Sequence, residues 1–188
     1  NIVNVEISEN SAGADGGGAQ FFSYSNPSLS NVTIANNSAR NAGGIGIILS
    51  NPNLENVTIK GNSASESGGG VWIRWLSNPS LENIIITENT AVQGGGIQCI
   101  SDVFPILINV TIAGNSATQG GGIHCKNNSN PNLLNSILWN NLPQEIYFQD
   151  DSDPDSITIS FSDIQGGESG ILTNNNGIVN WLEGNIDA

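Results

Sequence analysis

Basic residues are scarce in this chain of 188 residues, which has 4 Lys and Arg against 17 Asp and Glu and a formal net charge of −13. A surface this acidic repels phosphate backbones and anionic lipid head groups, so nucleic acids and membrane surfaces are poor candidates as partners. No apolar run approaches the ~20 residues that a membrane-spanning helix needs. The sequence therefore predicts no segment that spans a membrane.

Strong helix formers are also under-represented. The chain has 23 Gly and 29 Asn, and only 11% of its residues are charged. Gly and Asn are poor helix formers that favour turns. This composition argues against a helical domain.

One asparagine recurs along the chain at steps of 27, 25, 27, 26 and 26 residues. It occupies Asn10, Asn37, Asn62, Asn89, Asn115 and Asn141. A Gly-rich block such as Gly68-Gly-Gly-Val71 and an Asn-Pro-x-Leu block such as Asn78-Pro-Ser-Leu81 accompany it in most units. Each unit thus has three short extended runs that are bounded by Gly, Pro or Asn.

Three short strands per repeat of about 26 residues, without helices, predict an all-β right-handed parallel β-helix of six to seven coils. Two other repeat families fit this sequence less well, because leucine-rich repeats need several more Leu per unit and calcium-binding nonapeptide repeats need an Asp after the Gly-rich turn. We expect a single domain over residues 1–188, with regular coils over 4–134 and degenerate coils over 135–188. We also expect it to be a segment of a longer secreted protein.

Strand alternation assigns inward columns of like residues, which hold the register between coils. One column consists of Leu29, Leu54, Leu81, Leu107 and Leu133. The asparagines at 37, 62, 89, 115 and 141 are expected at a bend after the first strand. Their side-chain amides can pair from coil to coil as a structural ladder of Asn37, Asn62, Asn89, Asn115 and Asn141.

These units resemble the repeats of bacterial cell-surface β-helix proteins, in particular the polymorphic outer membrane protein repeat family. Gly17-Gly-Ala19 is similar to the Gly-Gly-Ala-Ile block of that family, and Ile34-x-x-Asn37 is similar to its Phe-x-x-Asn block, with Ile in place of Phe. The last third is similar to the end of the β-helix in secreted proteins of Bacteroidetes-like bacteria. The resemblance implies a secreted or cell-surface location and a structural or adhesive role. It brings no catalytic residues.

The outward face of the second strand is the best candidate for ligand binding. Two outward rows are expected there, Gln20, Trp72, Gln98 and His124 in one and Phe22, Ile48, Arg74, Ile100 and Lys126 in the other, with Trp75 and Phe104 close by. Exposed aromatics beside hydrogen-bonding side chains suit sugar stacking or protein contact. We take Trp72, Arg74, Trp75, Gln98, His124 and Lys126 as the candidate ligand-binding set. The alternative is that longer turns cover these side chains.

Acidic residues provide the rival hypothesis of a carbohydrate-active enzyme. Glu55 and Glu82 follow the inward Leu in adjacent units, and a glycosidase needs two converging carboxylates. Asp150, Asp151, Asp153 and Asp155 could form the catalytic cluster of such an enzyme or bind Ca²⁺, although a solvated turn between strands is favoured. No other cofactor is indicated.

Three further expectations concern stacking, ice and the cysteines. The self-stacking of coils end to end, or flanking modules of the same chain, would provide partners for open strand edges. Ice binding is a third functional option through Thr33, Thr58 and Thr111, in a row that Glu6, Ile85 and Ser136 interrupt. Cys99 and Cys125 are expected in one inward column, close enough for a disulfide, and free thiols are slightly favoured.

Overall fold

The computed structural model describes residues 1–175 and 177–187 of the chain. Its strands wind into a β-solenoid of about 7 coils with almost no helix, which confirms the predicted parallel β-helix. All of the strand pairings between coils are parallel, because each strand pairs with its counterpart one repeat later. The predicted domain also includes Asn176 and Ala188, which lie outside the described residues.

Three sheets run along the solenoid. Sheet one contains β1 (Ile2–Ser8), β3 (Ser28–Ala35), β6 (Asn53–Lys60), β9 (Ser80–Thr87), β11 (Ile106–Ala113), β13 (Asn132–Leu134), β14 (Ile137–Trp139), β16 (Asp155–Ser160), β17 (Asp163–Ile164) and β19 (Gly177–Trp181). Sheet two contains β2 (Ala19–Phe22), β5 (Ile45–Ile48), β8 (Val71–Arg74), β10 (Ile97–Ile100), β12 (Ile123–Lys126), β15 (Ile146–Phe148) and β18 (Ile171–Leu172). Sheet three contains β4 (Ser38–Asn41) and β7 (Ser63–Ser67), and one turn of 3₁₀ helix covers Glu168–Gly170. We number the coils one to seven by their strand in sheet two.

The predicted inward columns form the core. Leu29 pairs with Leu54, and Leu54 with Leu81, and this column continues through Leu107 and Leu133. All five side chains are at most 1% exposed. Burial of each Leu side chain contributes about 1.5–3 kcal/mol, and only stacking of coils can bury them.

The assignment of blocks to strands differs from the expectation. The Asn-Pro-x-Leu block and the Asn-Val-Thr-Ile block form one continuous strand of sheet one rather than two strands, as in β3. Asn31 bends that strand in the left-handed conformation, with a φ of 55°. The bend shifts the alternation by one residue, so Leu29, Val32 and Ile34 all point inward. The third sheet forms instead from the Ser-Ala segment after the ladder asparagine.

The asparagine ladder is present, and it is buried. Asn62 donates from its backbone N–H and from Nδ2 to Oδ1 of Asn89, at 2.9 and 3.0 Å, and from Nδ2 also to the carbonyl of Ile34. The same pattern links Asn37 to Asn62, Asn89 to Asn115 and Asn115 to Asn141. Each amide therefore satisfies the polar groups of a corner that is closed to water.

The Gly-rich blocks let neighbouring coils approach closely. A Cβ on Gly95 would lie 2.6 Å from the carbonyl oxygen of Ser116 and 2.7 Å from that of Gly121. Since these are backbone atoms of the next coil, no side chain fits at this position. The glycines are thus structural, as expected.

The two cysteines are neighbours in sheet two. Cys99 pairs with Cys125 between β10 and β12, and both are fully buried free thiols. Burial and the neighbouring Cys99 thiol raise the pKa of Cys125 well above its usual value.

Candidate functional site

The outer face of sheet two has the register that the repeat predicts. Its first row contains Gln20, Gly46, Trp72, Gln98, His124, Tyr147 and Leu172, and its second row contains Phe22, Ile48, Arg74, Ile100 and Lys126. Gln149 continues the second row, because its N–H donates to the carbonyl of Cys125 at 2.9 Å. The six candidate ligand-binding residues therefore lie on one face, over coils three to five.

The expected exposure of the first row is wrong for three of its four members, whereas Gln20 is exposed. Trp72 is 5% exposed, Gln98 1% and His124 0%. The Arg74 guanidinium lies 5.3 Å from the centre of the Trp72 ring, and Tyr147 stacks on His124 with ring centres 5.2 Å apart. Arg74 of the same strand thus covers Trp72, and Tyr147 of the next coil covers His124, whereas Arg74 and Lys126 are themselves half-buried.

Aromatic side chains remain exposed where sheet two ends and the chain turns. Tyr24 is 79% exposed, Phe22 51%, Phe104 43% and Trp75 40%. We call these four residues the aromatic edge. Tyr24 and Trp75 have positive φ values of 65° and 53°, which place both in left-handed turn conformations. Sequence reasoning missed Tyr24, although Ser23-Tyr24 and Trp75-Leu76 follow equivalent strands.

Arg74 supports the aromatic edge. Its guanidinium lies 3.9 Å from the centre of the Trp75 ring, within the range of a cation–π contact. Since the Trp75 ring is still 40% exposed, this contact orients the ring and leaves part of its surface accessible. The arrangement suits stacking against an apolar sugar face.

Glutamines border the buried row. Gln98 donates from Nε2 to Oε1 of Gln93, Gln93 donates to Oε1 of Gln119, and Gln119 donates to the hydroxyl of Tyr147, at 3.0, 3.3 and 2.9 Å. Sequence reasoning named only Gln98 among these residues. The others could have been found from the Gln that precedes two of the Gly-rich blocks.

His124 is neutral in this environment. Burial is the largest cause that lowers its pKa to about 4, and the charge of Lys126 lowers it further, against smaller raising effects of Gln149 and Asp151. Among the described residues neither ring nitrogen has a partner with full hydrogen-bond geometry, and the raising effect of Gln149 on the pKa comes from a weaker hydrogen bond of its side chain to His124. A neutral imidazole has one N–H donor and one acceptor nitrogen.

The comparison with protein families bears on the whole fold. The family described as the right handed beta helix region matches residues 1–141, which is most of the chain. The chain belongs to this family. A comparison with curated proteins and one with solved structures returned no match. The match ends at Asn141, the last asparagine of the ladder, so the part of the β-helix that matches contains the aromatic edge and all six candidate ligand-binding residues.

The β-helix does not bring the four candidate calcium ligands together as a cluster. Asp155 is 1% exposed and accepts a hydrogen bond from the Ser129 N–H at 2.8 Å, whereas Asp150 and Asp153 are exposed. Asp151 accepts from the backbone N–H of Asn127 and of Asp153. Within residues 1–175 and 177–187, no three His, Cys, Asp or Glu side chains are grouped so that they could hold a metal. Calcium binding by this turn stays a prediction.

The other two rows proposed from the sequence lie on the outer face of sheet one. Glu55 and Glu82 pair in register, and both are exposed. The threonine row runs Glu6, Thr33, Thr58, Ile85, Thr111, Ile137. Ile137, not Ser136, interrupts it, because Ser136 is buried and accepts a hydrogen bond from the Val110 N–H.

The ladder of the β-helix ends on a carboxylate. Glu145 accepts hydrogen bonds from the backbone N–H and from Nδ2 of Asn141, where a further asparagine would otherwise lie. Burial raises the pKa of this carboxyl despite those bonds. A cavity of about 270 Å³ lies beside it, lined by Asn140–Glu145, Gln165, Gly166 and Gly170. A second cavity, of about 370 Å³, lies between Asn135–Ile137, Phe161–Asp163, Gly184 and Ile186.

None of the described helices is long and apolar enough to cross a membrane.

Proposed function

We propose that this β-helix is a structural or adhesive protein, secreted or on a bacterial cell surface, and that it binds neutral glycans along the outer face of sheet two. The aromatic edge carries this proposal. Four aromatic side chains in the turns of coils one, three and four are 40–79% exposed, although aromatic residues are only 6% of the sequence. Exposed aromatics that are grouped at one edge of a sheet mark a site for contact rather than a part of the core.

The spacing of the coils suits an extended chain of sugars. Coils repeat at ~4.8 Å. Trp75 in coil three and Phe104 in coil four belong to adjacent coils but to different positions of their turns, because Phe104 lies opposite Asn78. A glycan that crosses these turns obliquely would meet the rings in turn. The face of each ring would pack against the C–H groups of a sugar.

Charge favours a neutral glycan over an anionic one. The net charge of −13 repels a polyanion at long range. Two of the four basic residues are paired with glutamates on the surface, Arg40 with Glu66 at 4.0 Å and Lys60 with Glu88 at 3.5 Å. The remaining two, Arg74 and Lys126, are half-buried on the proposed binding face.

A glycan array followed by calorimetry tests the proposal. We expect neutral polysaccharides to bind to the wild-type protein, and Trp75→Ala to weaken binding at least tenfold, since stacked rings dominate such sites. Ile85→Thr is the matched control, because Ile85 is an exposed side chain on sheet one between Thr58 and Thr111 of the same row. Absence of binding across the array, or equal loss in both variants, would contradict the proposal.

End-to-end self-association and catalysis remain predictions from the sequence. Sedimentation over a concentration series checks the first. Turnover of acidic and neutral polysaccharides, compared between the wild type and Glu55→Gln, checks the second.

A further inference from the structure

We propose that the outer face of sheet two contains a closed subsite for the hydroxyl groups of a neutral sugar, formed by Trp72, Gln98, His124 and Gln149 beneath Arg74 and Lys126. The inference rests on the proposed glycan-binding function and assigns to it a second set of contacts. It differs from the aromatic edge, because these polar groups are buried rather than exposed.

The observation that carries the inference is a group of buried polar atoms without partners. Each of them is shielded from solvent and lacks a partner with full hydrogen-bond geometry within 1–175 and 177–187, although Gln149 lies close enough to His124 for a weak hydrogen bond. They are Nε1 of Trp72, Nε of Arg74, Oε1 of Gln98, Nδ1 and Nε2 of His124 and Oε1 of Gln149. An unpaired buried polar group is costly, and most buried polar groups in proteins are paired.

These atoms share one face. Trp72, Gln98 and His124 are consecutive members of the first outward row, in coils three, four and five. Arg74 belongs to the second row, which Gln149 continues in coil six. The unpaired atoms of side chains on adjacent coils are thus concentrated on sheet two. By contrast, the ladder amides at the neighbouring corner are hydrogen-bonded throughout.

The mixture of donors and acceptors selects the ligand chemistry. Trp72 and Arg74 contribute N–H donors, Gln98 and Gln149 contribute carbonyl acceptors, and neutral His124 contributes one of each. A phosphate or sulfate could use only the donors, and a metal cation could use only the acceptors. A sugar hydroxyl donates one hydrogen bond and accepts others, so vicinal hydroxyls match a mixed set.

Arg74, whose guanidinium lies over the Trp72 ring, covers one end of the subsite, and Lys126 occupies the equivalent position beside His124. Both are half-buried, whereas Trp72, Gln98 and His124 are at most 5% exposed. The Arg74 guanidinium also contacts the Trp75 ring of the aromatic edge. A sugar that stacks on Trp75 would therefore meet the residue that must move to open the subsite. Long, flexible side chains make such a movement inexpensive compared with a change of the backbone.

The test uses His124, which is the only histidine of the chain. Selective ¹⁵N-histidine labelling yields one pair of imidazole resonances, so a titration with the tightest glycan of the array is read at a single site. We expect glycan binding to shift these resonances. We also expect His124→Phe, which keeps a ring to stack on Tyr147, to weaken binding at least tenfold.

The outcomes separate this inference from the proposed function. If the glycan binds, Trp75→Ala weakens binding, and neither His124→Phe nor the imidazole resonances respond, the glycan-binding function stands and the subsite is overturned. If no glycan binds to the wild type, both proposals are overturned. Should His124→Phe fail to fold, the imidazole titration of the wild type decides alone.

Discussion

Substitution of Asp155 by Asn should stabilise this protein at alkaline pH and leave it unchanged at acidic pH. Asp155 begins β16 and is 1% exposed. Its Oδ1 accepts from the Ser129 N–H, and its Oδ2 has no partner among the described residues. Burial raises the pKa of this carboxyl from 3.8 to about 7, and the charges of Asp151 and Asp153 add to the rise, against the lowering effect of the Ser129 bond.

The sign of the effect follows from the raised pKa. Well below pH 3.8 the carboxyl is protonated in both the folded and the unfolded state, so it does not change the free energy of unfolding. As the pH rises from about 3.8 to about 7, the carboxyl is ionised in the unfolded chain while it stays protonated in the folded protein, so the free energy of unfolding falls. The rise of about 3 pH units corresponds to a loss of at most about 4 kcal/mol, which is complete above pH 7.

Asn keeps the acceptor for Ser129 and removes the charge, so it should recover up to about 4 kcal/mol at pH 8 and almost nothing at pH 4. Urea denaturation at both pH values measures the difference. Asp150→Asn, at an exposed position of the same turn, is the control for net charge. Equal stabilisation by both substitutions at pH 8, or a gain by Asp155→Asn that persists at pH 4, would refute the reasoning.

Three further predictions can be tested by the same urea denaturation. Burial lowers the pKa of His124 from 6.5 to about 4. Because the unfolded chain binds the proton first, the free energy of unfolding should fall by about 3 kcal/mol as the pH falls from 6.5 to 4, and His124→Gln should abolish that loss. Because Asp155 acts in the opposite sense, each single variant should depend on pH more steeply than the wild type. Asn89→Ala removes the acceptor of two buried N–H groups of Asn62 and should lower the free energy of unfolding by about 2–4 kcal/mol. Asn53→Ala, at an exposed position, should lower it by less than about 0.5 kcal/mol. Gly95→Ala should cost about 1–3 kcal/mol through backbone contacts shorter than 3 Å, and Gly13→Ala, which has nothing within 4 Å, is its control.

The repeat made the columns of the fold predictable. Parallel stacking places residues one repeat apart side by side, so the Leu column, the asparagine ladder and the pair of Cys99 and Cys125 could all be read from spacing. Strand boundaries were less predictable. Alternation alone could not show that Asn31 bends one continuous strand, because the left-handed conformation of a single residue resets the alternation.

Burial on the outer face was the main failure of sequence reasoning, since it depends on contacts between side chains within a strand and between coils. Strand alternation places Trp72 and His124 outward, and both do point away from the core. Their cover comes from Arg74, two residues from Trp72, and from Tyr147 in the next coil. Neither contact can be predicted from the spacing of the repeats in the sequence. By contrast, the carboxylate at the end of the ladder could have been found from the sequence, because Glu145 lies only four residues after Asn141, the last member of the asparagine column.

The way in which columns vary separates structure from function in this solenoid. Positions that hold coils together repeat the same residue, as the ladder asparagines and the inward leucines do, because every coil imposes the same packing on them. The first outward row of sheet two changes at each coil, from Trp72 to Gln98 to His124 to Tyr147. Packing alone gives no reason for polar groups to be buried there without partners. We therefore propose that recognition occurs on this face, where the repeat does not impose one residue type and the buried polar atoms without full hydrogen-bond geometry are concentrated.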